Sequence, residues 1–91
     1  MSEPFEREVT IVNRLGLHAR AAARFVKLAE QFDAVVTVAK DEHVVAGTSI
    51  LGLMMLTAAT GSVLRLSASG PQARAALDAL FDLVARGFDE E

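Results

Sequence analysis

From Val44 to Leu64 the chain carries no charged side chain. A run of that length either crosses a bilayer or lies buried in a protein core. The residues within it decide between the two. Gly47, Gly52 and Gly61 interrupt the run, and five Ser/Thr residues are scattered through it. Its apolar pattern also changes midway from helical to alternating. A strand, a helix and a second strand packed inside a small domain account for this better than a membrane span. At 91 residues the chain has room for one core, so residues 1–91 are expected to form a single domain.

The remaining elements follow from periodicity. "REVTIVN" (7–13) alternates, with Val9 and Ile11 on one face and Thr10 on the other, as in a strand. Gly16 breaks it. The alanine-rich stretch from Ala19 to about Gln31 is predicted helical, with Ala22, Phe25, Ala29 and Phe32 as its apolar stripe. "AVVTVAK" and "HVVAG" flank Asp41-Glu42 as a hairpin. "TSILGLMMLTAA" opens on two good N-cap residues, Thr48 and Ser49, and predicts a short helix that Gly61 ends. "SVLRLSAS" alternates as a fourth strand. Gly70-Pro71 then opens a last helix, proline suiting the first turn. Its stripe is Ala73, Ala76, Leu77, Leu80, Phe81 and Val84. Gly87 supplies a stop, and the "FDEE" tail is expected to be solvated. The order β-α-β-β-α-β-α, with short connections, predicts an α+β sandwich of one sheet with helices on a single face.

Composition excludes several kinds of function. A net charge of −3 lacks the basic excess of a phosphate-backbone binder, and neither Trp nor Tyr is present to stack on bases. No nucleic-acid partner is expected. There is no cysteine, and the two histidines lie far apart in sequence, so no metal site is expected. "MSEPFEREV" lacks the basic start and apolar core of a signal peptide. A cytoplasmic protein with no membrane insertion is the expectation.

"RLGLHARAAARF" (14–25) holds the most suggestive chemistry. If a helix starts near Ala19, His18 is its cap. The first N–H groups of a helix have no partner within it and, with the helix dipole, attract anions. Arg20 could add charge-assisted hydrogen bonds. The same positive surroundings disfavour the imidazolium and so predict a neutral ring, whose lone pair could attack phosphorus. From His18 and Arg20 alone, a capping or merely solvated histidine remains the commoner reading.

"GLHARAAARFV" followed some thirty residues later by "GTSILGLMML" resembles the HPr family, the histidine phosphocarriers of the bacterial phosphoenolpyruvate phosphotransferase system. The resemblance runs from Glu8 to about Gly87. It implies an open-faced β-sandwich whose four-stranded antiparallel sheet has the order 1-4-2-3, with three helices on one face. It also implies a role. Enzyme I, charged by phosphoenolpyruvate, phosphorylates the histidine at Nδ1, and the carrier passes the group to an EIIA-type domain. His18 matches that histidine and Arg20 the arginine that follows it by two. Ser49 falls where many members carry a serine phosphorylated by a regulatory kinase. One departure is Ala21, where many members have proline; alanine keeps a helical backbone and restores one donor. "GTSILGLMML", "ASGPQ" and "GFDEE" look closer to proteobacterial members, including a nitrogen-related branch, which leaves sugar uptake and nitrogen-related regulation both open.

A carrier meets unlike partners briefly, which favours a small docking face. Six of the seven residues from Ile50 to Leu56 are apolar, more than one buried face needs. By family position Ile50, Leu51 and Met54 should be exposed beside His18, with Leu53 and Leu56 turned inward. Methionine suits a surface that repacks against different partners. Arg20, Arg24 and Lys27 share the outer side of the first helix and would attract acidic partner surfaces. Ser49 has a structural role open to it as an N-cap; phosphorylated, it would place charge amid Ile50, Leu51 and Met54 and oppose docking. His43 is expected to be a surface residue. The resulting expectation is a monomeric phosphocarrier, not an enzyme, that needs no cofactor. Two rivals remain open: a regulatory module of the same fold that acts by docking, under control of Ser49 phosphorylation, and a general small-ligand-binding domain.

Overall fold

A computed structural model describes residues 4–90. Strand β1 (Phe5–Thr10) is followed by helix α1 (Ala19–Ala29), strands β2 (Val35–Lys40) and β3 (His43–Ala46), helix α2 (Ile50–Met55), strand β4 (Val63–Ser69) and helix α3 (Ala73–Ala85). A short 3₁₀ turn, Gly87–Asp89, ends the series. The four strands form one antiparallel sheet in the order β1-β4-β2-β3. This is the α+β architecture expected from the order of elements.

Alternation along the strands sends one face of the sheet into the core. Val9, Val36, Val38, Leu64, Leu66 and Ala68 are buried together with Phe25 of α1, Leu53 of α2, and Leu80 and Val84 of α3. Each large apolar side chain taken fully out of water contributes about 1.5–3 kcal/mol, so this layer dominates what holds the helices on the sheet. At its edge Arg7 takes a core-face position on β1. It stacks its guanidinium 3.6 Å from the centre of the Phe81 ring and reaches Asp78. Its aliphatic stem covers apolar surface while the charge stays wet.

Several boundaries differ from expectation for local reasons. β1 begins at Phe5, which pairs with Ala68, and its ladder ends at Thr10 opposite Val63. Ile11 continues inward through bonds to the loop: its N–H donates to Ser62 O, and its carbonyl accepts from Gly61 N. Helix α1 stops at Ala29, and the next N–H groups close tighter turns, Gln31 N to Leu28 O and Phe32 N to Ala29 O. Pro71 lies outside α3. Gln72 is the N-cap, and the preceding turn is tied across the molecule, Gln72 N donating to Asp33 O. Leu83 is buried on α3 beside the expected stripe, whereas Phe81 is only half-buried.

The largest departure is at the C-terminal end. Gly87 does stop α3, at φ +73°, but the "FDEE" tail is not a solvated appendage. Phe88 is fully buried and Glu90 is mostly covered; Glu91 lies outside the described residues. An apolar side chain just past a helix-ending glycine commonly folds back toward the helix, and Phe88 here is buried in the core cluster. Among the described residues no helix is long and apolar enough to cross a membrane.

Candidate functional site

His18 is the N-cap of α1, with extended backbone (φ −76°, ψ 178°). Its carbonyl accepts the first helical bond, from Ala22 N at 2.8 Å. Its side chain makes no capping hydrogen bond, so the imidazole is free for other contacts. The N–H groups of the first turn lack acceptors within the helix. No acidic residue occupies that turn to neutralise them.

The loop before the helix fixes where His18 stands. Gly16 adopts φ +67°, and a Cβ there would fall 2.4 Å from Ala58 O. Only glycine lets the backbone pass so close. The following N–H, of Leu17, donates to the same Ala58 carbonyl at 2.9 Å. Leu17 itself is buried, pinning the residue next to His18. The anchoring residue, Ala58, lies just after α2, so the loop preceding His18 is tied to the segment that follows the second motif.

The ring meets a residue that sequence reasoning missed. His18 Nε2 lies 2.6 Å from Glu90 Oε2, with the two side chains 23% and 13% exposed. Glu90 Oε1 accepts from Asn13 Nδ2 at 2.9 Å, and the same amide nitrogen donates to Gly16 O at 2.8 Å. Two acceptors facing one amide group identify that side as the nitrogen. The Asn13 amide holds the Glu90 carboxyl below its ordinary range; the His18 contact and the Arg24 charge add to this, while desolvation works the other way. The field at His18 is therefore not the uniformly positive one expected from the helix end and Arg20, because a carboxylate faces the ring. Asn13 is the buried polar residue of this group.

Beside this contact lies a cleft of about 330 Å³ lined by Arg14, Leu15, Arg20, Arg24, Asp89 and Glu90. Three arginines thus line the space next to the imidazole's partner. Arg20 and Arg24 were anticipated; Arg14 and exposed Leu15 were not. Arg24 is also structural, its Nη1 donating to the Phe88 carbonyl. Lys27 is exposed on α1 and does not line the cleft.

On α2 the pattern divides as expected. Leu53 and Leu56 are buried, while Ile50, Leu51, Met54 and Met55 are exposed, Leu51 at 69% and Met55 at 72%. Four adjacent exposed apolar side chains on a six-residue helix are more than scattered surface residues. Ser49 caps this helix, its Oγ accepting from Gly52 N at 2.9 Å. His43 is exposed at the hairpin.

The family model described as "PTS HPr component phosphorylation site" matches residues 5–86. The chain belongs to the HPr family of phosphocarriers. The phosphocarrier protein NPr of Shewanella violacea is 48% identical over 85 residues, 93% of each chain. The phosphocarrier protein HPr of Cupriavidus necator is 44% identical, covering 93% of this chain and 96% of that one. Among solved structures, HPr-C-His from Thermoanaerobacter tengcongensis superposes with a TM-score of 0.91 at 42% identity, covering 96% of this chain and 98% of that one. HPr-family proteins are carriers of the phosphotransferase system and not enzymes, and their partners are the components of that system, such as enzyme I and EIIA-type proteins. Phe88 and Glu90 lie beyond the matched residues 5–86.

Proposed function

We propose that His18 accepts a phosphoryl group at Nδ1 from enzyme I, itself charged by phosphoenolpyruvate, and passes it to an EIIA-type protein. The observation that carries this is a histidine at the N-cap of α1 whose side chain is not spent on capping. A phosphoryl group there meets unpaired helix N–H groups, and Arg20, on the rim of the adjoining cleft, adds charge-assisted hydrogen bonds. In this reading Ile50, Leu51 and Met54 form the apolar part of the docking face, and Arg24 and Lys27 steer acidic partner surfaces toward it. The protein acts as a cytoplasmic monomer of one domain.

Ser49 is the proposed regulatory site. A phosphate there carries nearly two negative charges at a helix N-terminus, where the dipole tolerates it. Its effect falls on docking, through charge placed against the exposed apolar residues of α2. A serine kinase of the system should label the wild type and not Ser49→Ala; label that persists in the variant would remove Ser49 from this role.

The exposed face of α2 also supports a second reading, a regulatory module that works by docking alone. One assay separates the two. The protein is incubated with enzyme I and labelled phosphoenolpyruvate, then the label is tested in acid and base. Acid-labile, base-stable label that His18→Ala abolishes is the expected result. Failure of a competent enzyme I to label the wild type would overturn the relay. Running the enzyme I and EIIA-type proteins of the sugar and nitrogen-related branches side by side assigns the branch.

A further inference from the structure

The segment after α3 is held in an unusual shape. Gly87, Phe88 and Asp89 have φ of 73°, 58° and 62°, three consecutive left-handed residues of which only the first is glycine. Such a conformation persists in side-chain-bearing residues only where the surroundings enforce it, and it concentrates at functional sites. Here burial of the Phe88 ring and the bond from Arg24 to its carbonyl enforce it. The result is a strap that reverses the chain and delivers the Glu90 carboxylate to His18 Nε2.

Chemistry places the hydrogens. An ionised carboxylate can only accept, so His18 Nε2 must carry a proton and donate it to Oε2. In a neutral imidazole the lone pair is then on Nδ1. Asn13 grips the far oxygen of the same carboxylate and is itself bonded to Gly16 O. A chain of hydrogen bonds therefore runs from the loop backbone through Asn13 and Glu90 to the ring. The charged groups around it are Arg14, Arg20, Arg24, Asp89 and Glu90, all lining the one cleft.

We infer that Glu90, held by Asn13 and the strap, is a positioning residue that keeps the proton on His18 Nε2 and so presents Nδ1 to phosphorus. This rests on the reading of His18 as phosphoryl acceptor. When phosphorus arrives, the Nδ1 lone pair forms the N–P bond as the donor's bond to phosphorus breaks, its electron pair leaving with the donor. Nε2 keeps its proton, and the ring becomes a cation facing the Glu90 carboxylate. On transfer onward the Nδ1–P bond breaks and its pair returns to Nδ1, leaving the same neutral ring with the same Nε2–H. No proton enters or leaves the imidazole in either direction. A protonated ring is also the better leaving group, because it departs neutral. The three arginines on the rim offset the carboxylate and phosphoryl charges brought together.

The test has one readout that needs no variant and one that does. In the unphosphorylated protein at neutral pH, ¹⁵N NMR should find the neutral form of the His18 ring wholly in the Nε2–H tautomer; a substantial Nδ1–H population would overturn the inference. Glu90→Ala should admit the second tautomer; in Glu90→Gln the single carbonyl oxygen must serve both Asn13 Nδ2 and His18 Nε2, so the second tautomer should appear there too, at a lower level. Phosphoryl transfer by Glu90→Ala should slow by roughly ten- to a hundredfold, the range seen when the partner orienting a metal-bound histidine is removed. Apparent affinity for enzyme I should hold steady. A Glu90→Ala protein with wild-type tautomer and rate would remove Glu90 from the role while leaving His18 as acceptor. Label persisting in His18→Ala would instead remove the acceptor reading, whatever the tautomer shows.

Discussion

Glu90 Oε2 lies 2.6 Å from His18 Nε2, across 72 residues of sequence. The contact joins the segment beyond the last helix to the cap of the first, and it places a carboxylate where local sequence suggested only positive charge. The consequences extend from proton placement to stability.

Glu90 titrates below its ordinary value of 4.5, chiefly because the Asn13 amide donates to it. A carboxyl with a depressed folded value stabilises the fold fully above the unfolded value and loses that contribution as pH falls through the folded one. The stability difference between wild type and Glu90→Gln should therefore shrink as pH falls below about 4.5 to 5. Thermal unfolding of both proteins across that range checks this. A difference that grows with acid would reverse the sign and contradict the assigned contact.

Gly16→Ala places a Cβ 2.4 Å from Ala58 O at a φ of +67°. Neither term can relax without moving the loop that carries Leu17 and His18. A cost of about 1–3 kcal/mol is expected, with slower phosphoryl transfer because His18 shifts relative to the cleft. Denaturant unfolding and the labelling assay on one preparation test both; a variant at wild-type stability would mean the approach is not as close as described.

Phe88→Ala removes a fully buried ring and keeps the left-handed backbone strain. Truncations of this kind cost about 3–5 kcal/mol, a large share of the ~5–15 kcal/mol total of a small domain. Urea unfolding should show it as a lower midpoint. A loss below about 1 kcal/mol, the scale of an ordinary substitution, would mean that the strap is not an anchored part of the core.

Leu51→Glu changes an exposed residue (69%), so stability should stay within about 0.5 kcal/mol of wild type. Transfer from enzyme I should nevertheless fall through weaker docking, read as a higher KM. Unchanged kinetics would take Leu51 out of the docking face.

Much of this architecture was legible in the sequence because its signals are local. Alternation at Val9 and Ile11, the stripe Ala22, Phe25 and Ala29, and the capping Ser49 each report on neighbours within a turn or a strand. The same is true of the division on α2 between inward Leu53 and Leu56 and outward Leu51. Proline placement was less informative, since Pro71 serves a turn tied to Asp33 and not the helix itself. The strap was missed for a physical reason. Asp89 and Glu90 made "FDEE" look like solvated charge, whereas Phe88 after a helix-ending glycine was the clue that the chain folds back. The partners of Glu90 lie about seventy residues upstream, beyond any local pattern. The role of Asn13 was hidden in the same way, because its side chain matters through that carboxylate.

Phosphorus is expected to reach this protein on Nδ1 of His18 while Nε2 keeps its proton. The most direct measurement is ¹⁵N and ³¹P NMR of uniformly ¹⁵N-labelled protein phosphorylated by enzyme I and phosphoenolpyruvate. The expected result is a single N–P linkage at His18 Nδ1, with Nε2 protonated and hydrogen-bonded. Phosphorus on Nε2, on His43 or on any other residue would contradict it.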